Sequence, residues 1–242
     1  MSTPREIIAK NIAAMIKDGS FVNLGVGIPT LVGNFISPEI TVILHGENGA
    51  AGMNGRLPLK GITDDGDTFL QWEKNHKGGN GSYLTGHKDL IDAGGDPVTM
   101  MPGSSNFDVC TAFAMARGGH LDMTVLGAMQ VDQYGNIANW MIPGKRVTGM
   151  GGAMDILAGT DNVVIAMSLL SKSGEPKLLK ECTLPYTARN CVKTVVTEKC
   201  ILKVEDEHFV LTSLYPGVSI DEIKKSIDGN LIISEKLDTM LE

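Results

Sequence analysis

The chain has 242 residues, of which 43% are hydrophobic and 20% charged, so it is long and apolar enough to bury a globular core. Its net charge of −7 argues against a nucleic-acid surface, because binding phosphates requires clustered lysines and arginines. Its sequence shows no bilayer-spanning apolar run, no signal-peptide pattern and no metal-site spacing among its four cysteines. We therefore expect a cytoplasmic protein with one α/β domain over residues 1–242 and no metal site.

Hydrophobic periodicity and turn residues predict the secondary structure in chain order. The expected helices are residues 4–18, 29–36, 106–117 and 219–227. The expected strands are residues 21–24, 41–44, 99–101, 123–126, 163–167, 192–196, 201–204 and 209–214. Residues 56–98 are polar and glycine-rich and are interpreted as a loop, in which the acidic run 64–67 lacks the ligand ladder of a calcium site.

The first strand leads directly into the glycine loop Gly25-Val-Gly-Ile-Pro-Thr30. This loop does not match a dinucleotide fingerprint, because Thr30 stands where a third glycine would allow close helix–strand packing. Two interpretations stay open. Gly25 and Gly27 expose N–H groups to a phosphate or pantetheine-like chain, or they make an ordinary tight turn.

A carboxylate follows the strand at residues 41–44, where open α/β sheets place their ligand crevices. Glu47 is flanked by Gly46 and by Asn48-Gly49, and glycines there permit positive φ and close approach of a ligand. This arrangement presents Glu47 as a nucleophile or base. The alternative is an ordinary Asn-Gly turn with a solvated glutamate.

Two further glycine-containing segments are candidates for binding an anion. Gly127 ends the strand at 123–126, and its N–H could stabilise an oxyanion in acyl chemistry. Gly151-Gly152 enters a helix after Lys145 and Arg146, two cations that either face a phosphate or are solvated.

Taken together and in order, these motifs resemble the β subunit of family I CoA-transferases, the 3-oxoacid, acetoacetate and butyrate–acetoacetate type enzymes. The motifs are Gly25-Val-Gly-Ile-Pro-Thr, Glu47-Asn-Gly, Leu126-Gly-Ala-Met-Gln-Val-Asp, Gly135-Asn-Ile-Ala-Asn-Trp and Gly149-Met-Gly-Gly-Ala-Met-Asp. The resemblance implies an open, mostly parallel α/β sheet with helices on both faces. It also implies an obligate α subunit, usually in an α2β2 heterotetramer. The sequence departs from many members by having Gly46 where they have serine.

The same resemblance implies a catalytic pair and a coenzyme A site. Glu47 would be the covalent nucleophile and Gly127 the oxyanion donor. Coenzyme A would be a substrate rather than a tightly bound cofactor. The expected CoA-binding residues are Gly25, Gly27, Ile28, Pro29, Asn48, Gly49, Lys145, Gly151 and Gly152.

The expected activity is transfer of CoA between a short-chain acyl-CoA, such as acetoacetyl-CoA or butyryl-CoA, and a free acid, such as acetate or succinate. The reaction would pass through a glutamyl-CoA thioester on Glu47 in a ping-pong sequence. Two alternatives are kept. One is an α/β domain that binds phosphosugars without a covalent step, and the other is a noncatalytic scaffold subunit in which Glu47 is a turn residue.

Overall fold

A computed structural model describes residues 2–56, 68–73, 82–95 and 97–242 of the chain. The helices are α1 (Pro4–Ala13), α2 (Ile28–Leu31), α3 (Val109–Arg117), α4 (Ala153–Gly159) and α5 (Ile220–Lys225), and a 3-10 turn covers Val32–Phe35. The strands are β1 (Phe21–Leu24), β2 (Ile43–Gly46), β3 (Ala50–Arg56), β4 (Thr68–Glu73), β5 (Ser82–Ile91), β6 (Pro97–Asn106), β7 (Met123–Leu126), β8 (Gln130–Asp132), β9 (Ile137–Ala138), β10 (Met141–Ile142), β11 (Arg146–Val147), β12 (Val163–Ala166), β13 (Leu178–Leu179), β14 (Val192–Val196), β15 (Cys200–Glu205), β16 (His208–Leu214) and β17 (Leu231–Thr239).

Within the described ranges, twelve strands form one sheet in the order β17-β16-β15-β14-β12-β7-β1-β2-β3-β6-β5-β4. Its centre, β14-β12-β7-β1-β2, is entirely parallel. Antiparallel pairs extend the sheet from β2 through β3, β6, β5 and β4, and from β14 through β15 and β16. The predicted open α/β sheet is confirmed. The parallel centre brings the carboxyl ends of five strands to one edge.

Helices cover both faces of the parallel centre, as predicted. On one face, Ile8 and Ile12 of α1 join the core formed by Val22, Val125 and Val164 of three central strands. On the other face, α3, α4 and α5 contribute to two further clusters with the opposite side chains of the same strands. Strand residues therefore alternate between two buried faces, which explains why the central strands read as continuous apolar runs.

The first helix begins at residue 4, as predicted, and Thr3 caps it. The Thr3 side chain accepts a hydrogen bond from the Glu6 N–H at 3.3 Å, and the Glu6 carboxylate accepts one from the Thr3 N–H at 2.7 Å. Pro4 then occupies the first helical position, where its missing N–H costs nothing. The helix ends at Ala13, earlier than expected, and hydrogen-bonded turns carry the chain to Gly19.

Several strands match their expected bounds, but β2 is shifted by two residues. Residues 41–42 lie before Ile43, the first residue of β2 that pairs with β1, and the Thr41 N–H donates to Asp18 instead of to a strand. Pairing starts at Ile43 and extends to Gly46, because β3 turns back antiparallel beside it. Glu47 is therefore the first residue after β2 rather than a residue further along a loop.

The interpretation of residues 56–98 as a loop is wrong for the part that is described. Strands β4, β5 and β6 form an antiparallel extension that pairs with β3. Strands at the end of a sheet need no continuous apolar pattern, so the sequence signal is weak there. The acidic run 64–67 lies outside the described residues.

The expected helix at 29–36 is divided into α2 and the 3-10 turn, and α3 begins after its cap Asp108 rather than at residue 106. Strand β17 and the small sheet β13-β8-β9 were not predicted. The residues of β17 do not alternate regularly between buried and exposed, because β17 is an outer strand of the sheet and is half-exposed along much of its length. None of the helices in the described ranges combines the length and the apolar character that a bilayer-spanning segment requires.

Candidate active site

A cavity of about 840 Å³ opens at the carboxyl edge of the parallel strands. Its lining includes Gly25 after β1, Glu47 after β2 and Gly127 after β7, together with Gly151 and Gly152 before α4. These residues are distant in sequence. The parallel order β7-β1-β2 brings the first three to neighbouring strand ends. Five of the predicted site residues therefore share one concave surface.

The carboxylate of Glu47 is half-buried in this cavity and lies against Gly152. A β-carbon at Gly152 would stand 3.0 Å from Glu47 Oε2 and 2.5 Å from the ring of Phe113. Burial raises the pKa of Glu47 above its ordinary value, because the charged form loses solvation. A carboxylate that is poorly solvated and placed at a cavity wall is suited to nucleophilic attack.

The backbone N–H of Gly127 is free in the part of the chain that the structure describes, whereas its carbonyl is hydrogen-bonded. The Gly127 N–H donates to no acceptor within the described residues, whereas its carbonyl accepts a hydrogen bond from Asn139 Nδ2 at 3.2 Å. Asn139 is held in turn by Thr187, whose hydroxyl donates to Asn139 Oδ1 at 2.7 Å. The Asn139 side chain thus orients the strand end that carries the free N–H, as an oxyanion site requires.

Two glycines are needed at the cavity for steric reasons. At Gly25 a β-carbon would stand 2.7 Å from Leu126 Cδ2 and 3.1 Å from the Val125 carbonyl oxygen, so β1 and β7 approach closely at this point. At Gly152 a side chain would displace Phe113 or Glu47. Glycine in these positions keeps room for the site.

Other predicted residues lie outside the cavity lining. Gly27 is exposed with a φ of 97°, Ile28 packs against the core cluster of α1, and Pro29 is buried in α2. Lys145 is exposed in the turn between β10 and β11. Their proposed contact with CoA remains a prediction.

Asn48 and Gly49 shape the turn that carries Glu47. Asn48 Nδ2 donates to the Ile91 carbonyl at 2.8 Å, which ties the turn to the end of β5. A β-carbon at Gly46 would stand 2.6 Å from Asn48 Oδ1. The glycine that replaces the serine of many members therefore leaves space for the Asn48 side chain.

Among the lining residues that were not predicted is a cation, Arg5, in the first turn of α1. It is the cation among the lining residues and is exposed, with no hydrogen bond or ion pair to other described residues. Nothing in the sequence around Arg5 marks it, because the first helix reaches the site through the packing of the sheet. Its charge makes it a candidate for binding an anionic substrate.

No cluster of three or more potential metal ligands occurs among the described residues. The four cysteines are free thiols, and burial raises the pKa of Cys191 to about 11 and of Cys200 to about 12.

Comparison with known proteins identifies the family. Residues 82–226 match the profile of a family described as "Coenzyme A transferase". A probable coenzyme A transferase subunit beta of Bacillus subtilis is 42% identical over 229 residues, which are 95% of this chain and 94% of that protein. This chain belongs to the coenzyme A transferase family.

Some of the proteins that this chain is similar to are longer. Mouse (Mus musculus) mitochondrial succinyl-CoA:3-ketoacid coenzyme A transferase 2B is 42% identical over 238 residues, covering 98% of this chain and 41% of that protein. The acyl-CoA transferase YdiF of Escherichia coli O157:H7, in its thioester complex with CoA, has a similar fold, with a TM-score of 0.69 and 21% identity. That similarity covers 100% of this chain and 44% of the YdiF chain. The chain thus spans less than half the length of these two proteins.

Proposed function

We propose that this chain is the catalytic β subunit of a CoA-transferase that uses Glu47 as its covalent nucleophile. The observation that carries the proposal is the position of Glu47, half-buried in a cavity at the sheet's carboxyl edge that Gly127 also lines. Gly127 N–H has no acceptor within the described residues. A nucleophile and an oxyanion donor on neighbouring parts of one cavity are what acyl transfer from a thioester requires.

The reaction proceeds through two forms of the enzyme. Glu47 attacks the thioester carbonyl of the donor acyl-CoA, which gives a mixed acyl–glutamyl anhydride and CoA thiolate. The thiolate attacks the glutamyl carbonyl, which leaves a glutamyl-CoA thioester and releases the first acid. The second acid attacks this thioester, which gives a new acyl–glutamyl anhydride and releases CoA thiolate. The thiolate then attacks the acyl carbonyl of this anhydride, which gives the new acyl-CoA and restores Glu47. One thioester is exchanged for another, so no ATP is needed.

The substrates we propose are short-chain acyl-CoAs, such as acetoacetyl-CoA or butyryl-CoA, with acetate or succinate as the accepting acid. Support comes from the mouse relative, named for succinyl-CoA and 3-ketoacids. Coenzyme A is then a substrate and not a resident cofactor. Binding energy from its remote nucleotide and pantetheine would help to stabilise the transition states that flank the anhydride.

We also propose an α subunit as partner, in an α2β2 heterotetramer. The B. subtilis relative is named as a subunit beta, and the mouse relative is more than twice as long as the matched region. The cavity is open to solvent on this chain, and a second subunit would complete it. One domain over residues 1–242 and a cytoplasmic location remain our predictions for this subunit.

Partial exchange tests the covalent mechanism. With the α subunit co-purified, labelled acetoacetate should enter acetoacetyl-CoA without any second acid, because the first half-reaction is complete on its own. Double-reciprocal plots for the two substrates should be parallel. Exchange that strictly requires the second acid would argue for direct transfer. Phosphosugar binding without any CoA dependence would favour the noncovalent alternative.

Arg5→Met should weaken binding of the anionic substrate. A charge-assisted hydrogen bond contributes about 1.5 kcal/mol or more, so we expect KM for the acyl-CoA or the acid to rise about tenfold, with kcat within about twofold. The dependence of KM on salt should also fall. Lys17→Met, an exposed cation after α1 that does not line the cavity, is the matched control. Unchanged KM values for both substrates would remove Arg5 from the site.

Gly152→Ala should slow exchange about thirtyfold. The backbone of Gly152, with φ of −82° and ψ of −1°, accepts alanine, so the effect comes from the new β-carbon against Phe113 and Glu47. Displacing a reacting group by about 1 Å can cost about a hundredfold in rate. Gly33→Ala, whose β-carbon would make an ordinary contact at 3.5 Å with Leu44, should stay within about twofold. Wild-type turnover in Gly152→Ala would show that Glu47 does not rely on this contact.

A further inference from the structure

Three buried polar side chains form a row across the central strands, close to the strand ends that lead into the cavity. His45 on β2, Asn23 on β1 and Thr124 on β7 are paired residues in neighbouring strands. Their exposed fractions are 1%, 2% and 0%. Polar groups are costly inside an apolar sheet unless they are hydrogen-bonded, so the row needs internal partners.

The hydrogen bonds run in one direction along this polar row. The Thr124 hydroxyl donates to Asn23 Oδ1 at 3.0 Å, and Asn23 Nδ2 lies 3.3 Å from both His45 Nδ1 and the His45 carbonyl oxygen. His45 Nε2 lies 3.2 Å from the Ala112 carbonyl of α3. A carbonyl only accepts, so Nε2 carries the proton and Nδ1 accepts from Asn23. Burial lowers the pKa of His45, in agreement with a neutral ring.

Each member of the polar row lies just before the candidate site residue that follows its strand. Asn23 is two residues before Gly25, His45 two before Glu47 and Thr124 three before Gly127. At the far end of the row, Ala112 is followed by the Phe113 ring that lies beside Gly152. The polar row therefore connects the nucleophile's strand, the oxyanion donor's strand and the helix beside the carboxylate.

Two aromatic rings enclose the histidine. Phe21 meets it edge-on, with ring centroids 5.3 Å apart, and Phe107 stacks at 6.4 Å. Apolar side chains would fill this position without the cost of burying polar groups. A polar row that is satisfied only in one strand register, however, penalises any slip of β2 against β1 and β7.

We propose that His45, Asn23 and Thr124 are positioning residues. By fixing the register of β2, β1 and β7, they hold the Glu47 carboxylate in its position relative to the Gly127 N–H. This inference rests on the proposed function. None of the three lines the cavity, so they act through the strand ends and not by touching substrate. Misplacing the nucleophile should therefore slow formation of the covalent intermediate and leave substrate affinity nearly unchanged.

The test compares His45→Leu with His45→Gln in the complex with the α subunit. A glutamine can donate to the Ala112 carbonyl through its amide nitrogen and accept from Asn23 through its oxygen, whereas leucine can do neither. At saturating acetoacetyl-CoA, the single-turnover rate of CoA attachment to the protein should fall about twentyfold in His45→Leu. KM should stay within about twofold. His45→Gln should recover the rate to within about threefold of wild type.

Thr124→Val is a second variant, in case His45→Leu does not fold. It removes the first hydrogen bond of the polar row with little change in volume, and we expect a rate about fivefold lower at unchanged KM. Equal rates of attachment in wild type, His45→Leu and Thr124→Val would overturn the positioning role. So would a His45→Gln variant as slow as His45→Leu, or a loss confined to KM. Absence of attachment in wild type would instead overturn the proposed function, so the two failures are distinguishable.

Discussion

Replacing Glu47 with alanine is expected to lower CoA transfer by about 10⁴-fold or more, because the variant lacks the group that forms the covalent intermediate. Assembly with the α subunit should be retained, since the carboxylate is at a cavity wall rather than in the core. The measurement is steady-state transfer with acetoacetyl-CoA and a panel of short acids. Glu39→Ala, which removes an exposed glutamate away from the cavity, is the control and should keep full activity.

An active Glu47→Ala complex would contradict the mechanism directly. A variant that fails to assemble, while Glu39→Ala assembles normally, would instead support the scaffold alternative, in which Glu47 is a structural turn residue. Both outcomes are read from the same preparations by size-exclusion chromatography and assay.

Because burial raises the pKa of Glu47, we expect stability and activity to depend on pH in opposite directions. Its pKa is raised in the folded chain by burial, so the folded state binds the proton more tightly than the unfolded state does. The stability associated with this proton is present below the ordinary pKa and is lost as pH rises through the raised pKa. Glu47→Gln should therefore have a higher Tm than wild type near pH 8, with the difference vanishing at acid pH. Activity needs the carboxylate and should fall as pH drops through the same raised pKa.

Gly49→Ala is expected to have the largest effect on stability, about 3 kcal/mol or roughly 6–10 °C in Tm. Gly49 has a φ of 113°, and a β-carbon there would overlap the carbonyl oxygen of Phe107. The Gly49 carbonyl also accepts a hydrogen bond from the Phe107 N–H at 2.9 Å, so the two backbones are held together. Because Glu47 lies in the same turn, activity should fall as well.

Gly19→Ala separates steric overlap from backbone conformation. Gly19 also has a positive φ, 78°, but nothing lies within 4 Å of the place where its β-carbon would be. We expect this control to lose about 1 kcal/mol and to keep its activity. Equal losses of Tm in the two variants would mean that positive φ alone accounts for the effect and that the Phe107 contact contributes little.

Features that depend on local sequence were predictable. The strand at 123–126 and its closing glycine follow from an apolar run stopped by Gly127, and the start of α1 at Pro4 follows from the preference for proline at the first position of a helix. The placement of Glu47 at a strand end was also correct, although β2 begins two residues later than expected. A glycine-flanked carboxylate after a buried strand is a local signal, and the parallel sheet places this carboxylate at the cavity.

Features that depend on tertiary packing were not predictable. Arg5 reaches the cavity because α1 packs on the sheet, which no local pattern encodes. The antiparallel extension β4–β6 carries a weak strand signal, since its polar and glycine-rich residues are typical of loops. His45 lies one residue beyond the expected strand at 41–44, and its pairing with Asn23 is evident only from the register of β1 and β2.

Intact mass of the complex after addition of acetoacetyl-CoA tests the central claim, covalent attachment of CoA to Glu47, most directly. We expect this chain to gain the mass of one CoA less water, to lose it on treatment with hydroxylamine, and to carry it on the peptide that contains Glu47. The Glu47→Ala chain should gain nothing. A folded wild-type complex that forms no adduct with any of a panel of short acyl-CoAs, or an adduct on a different residue, would contradict the account.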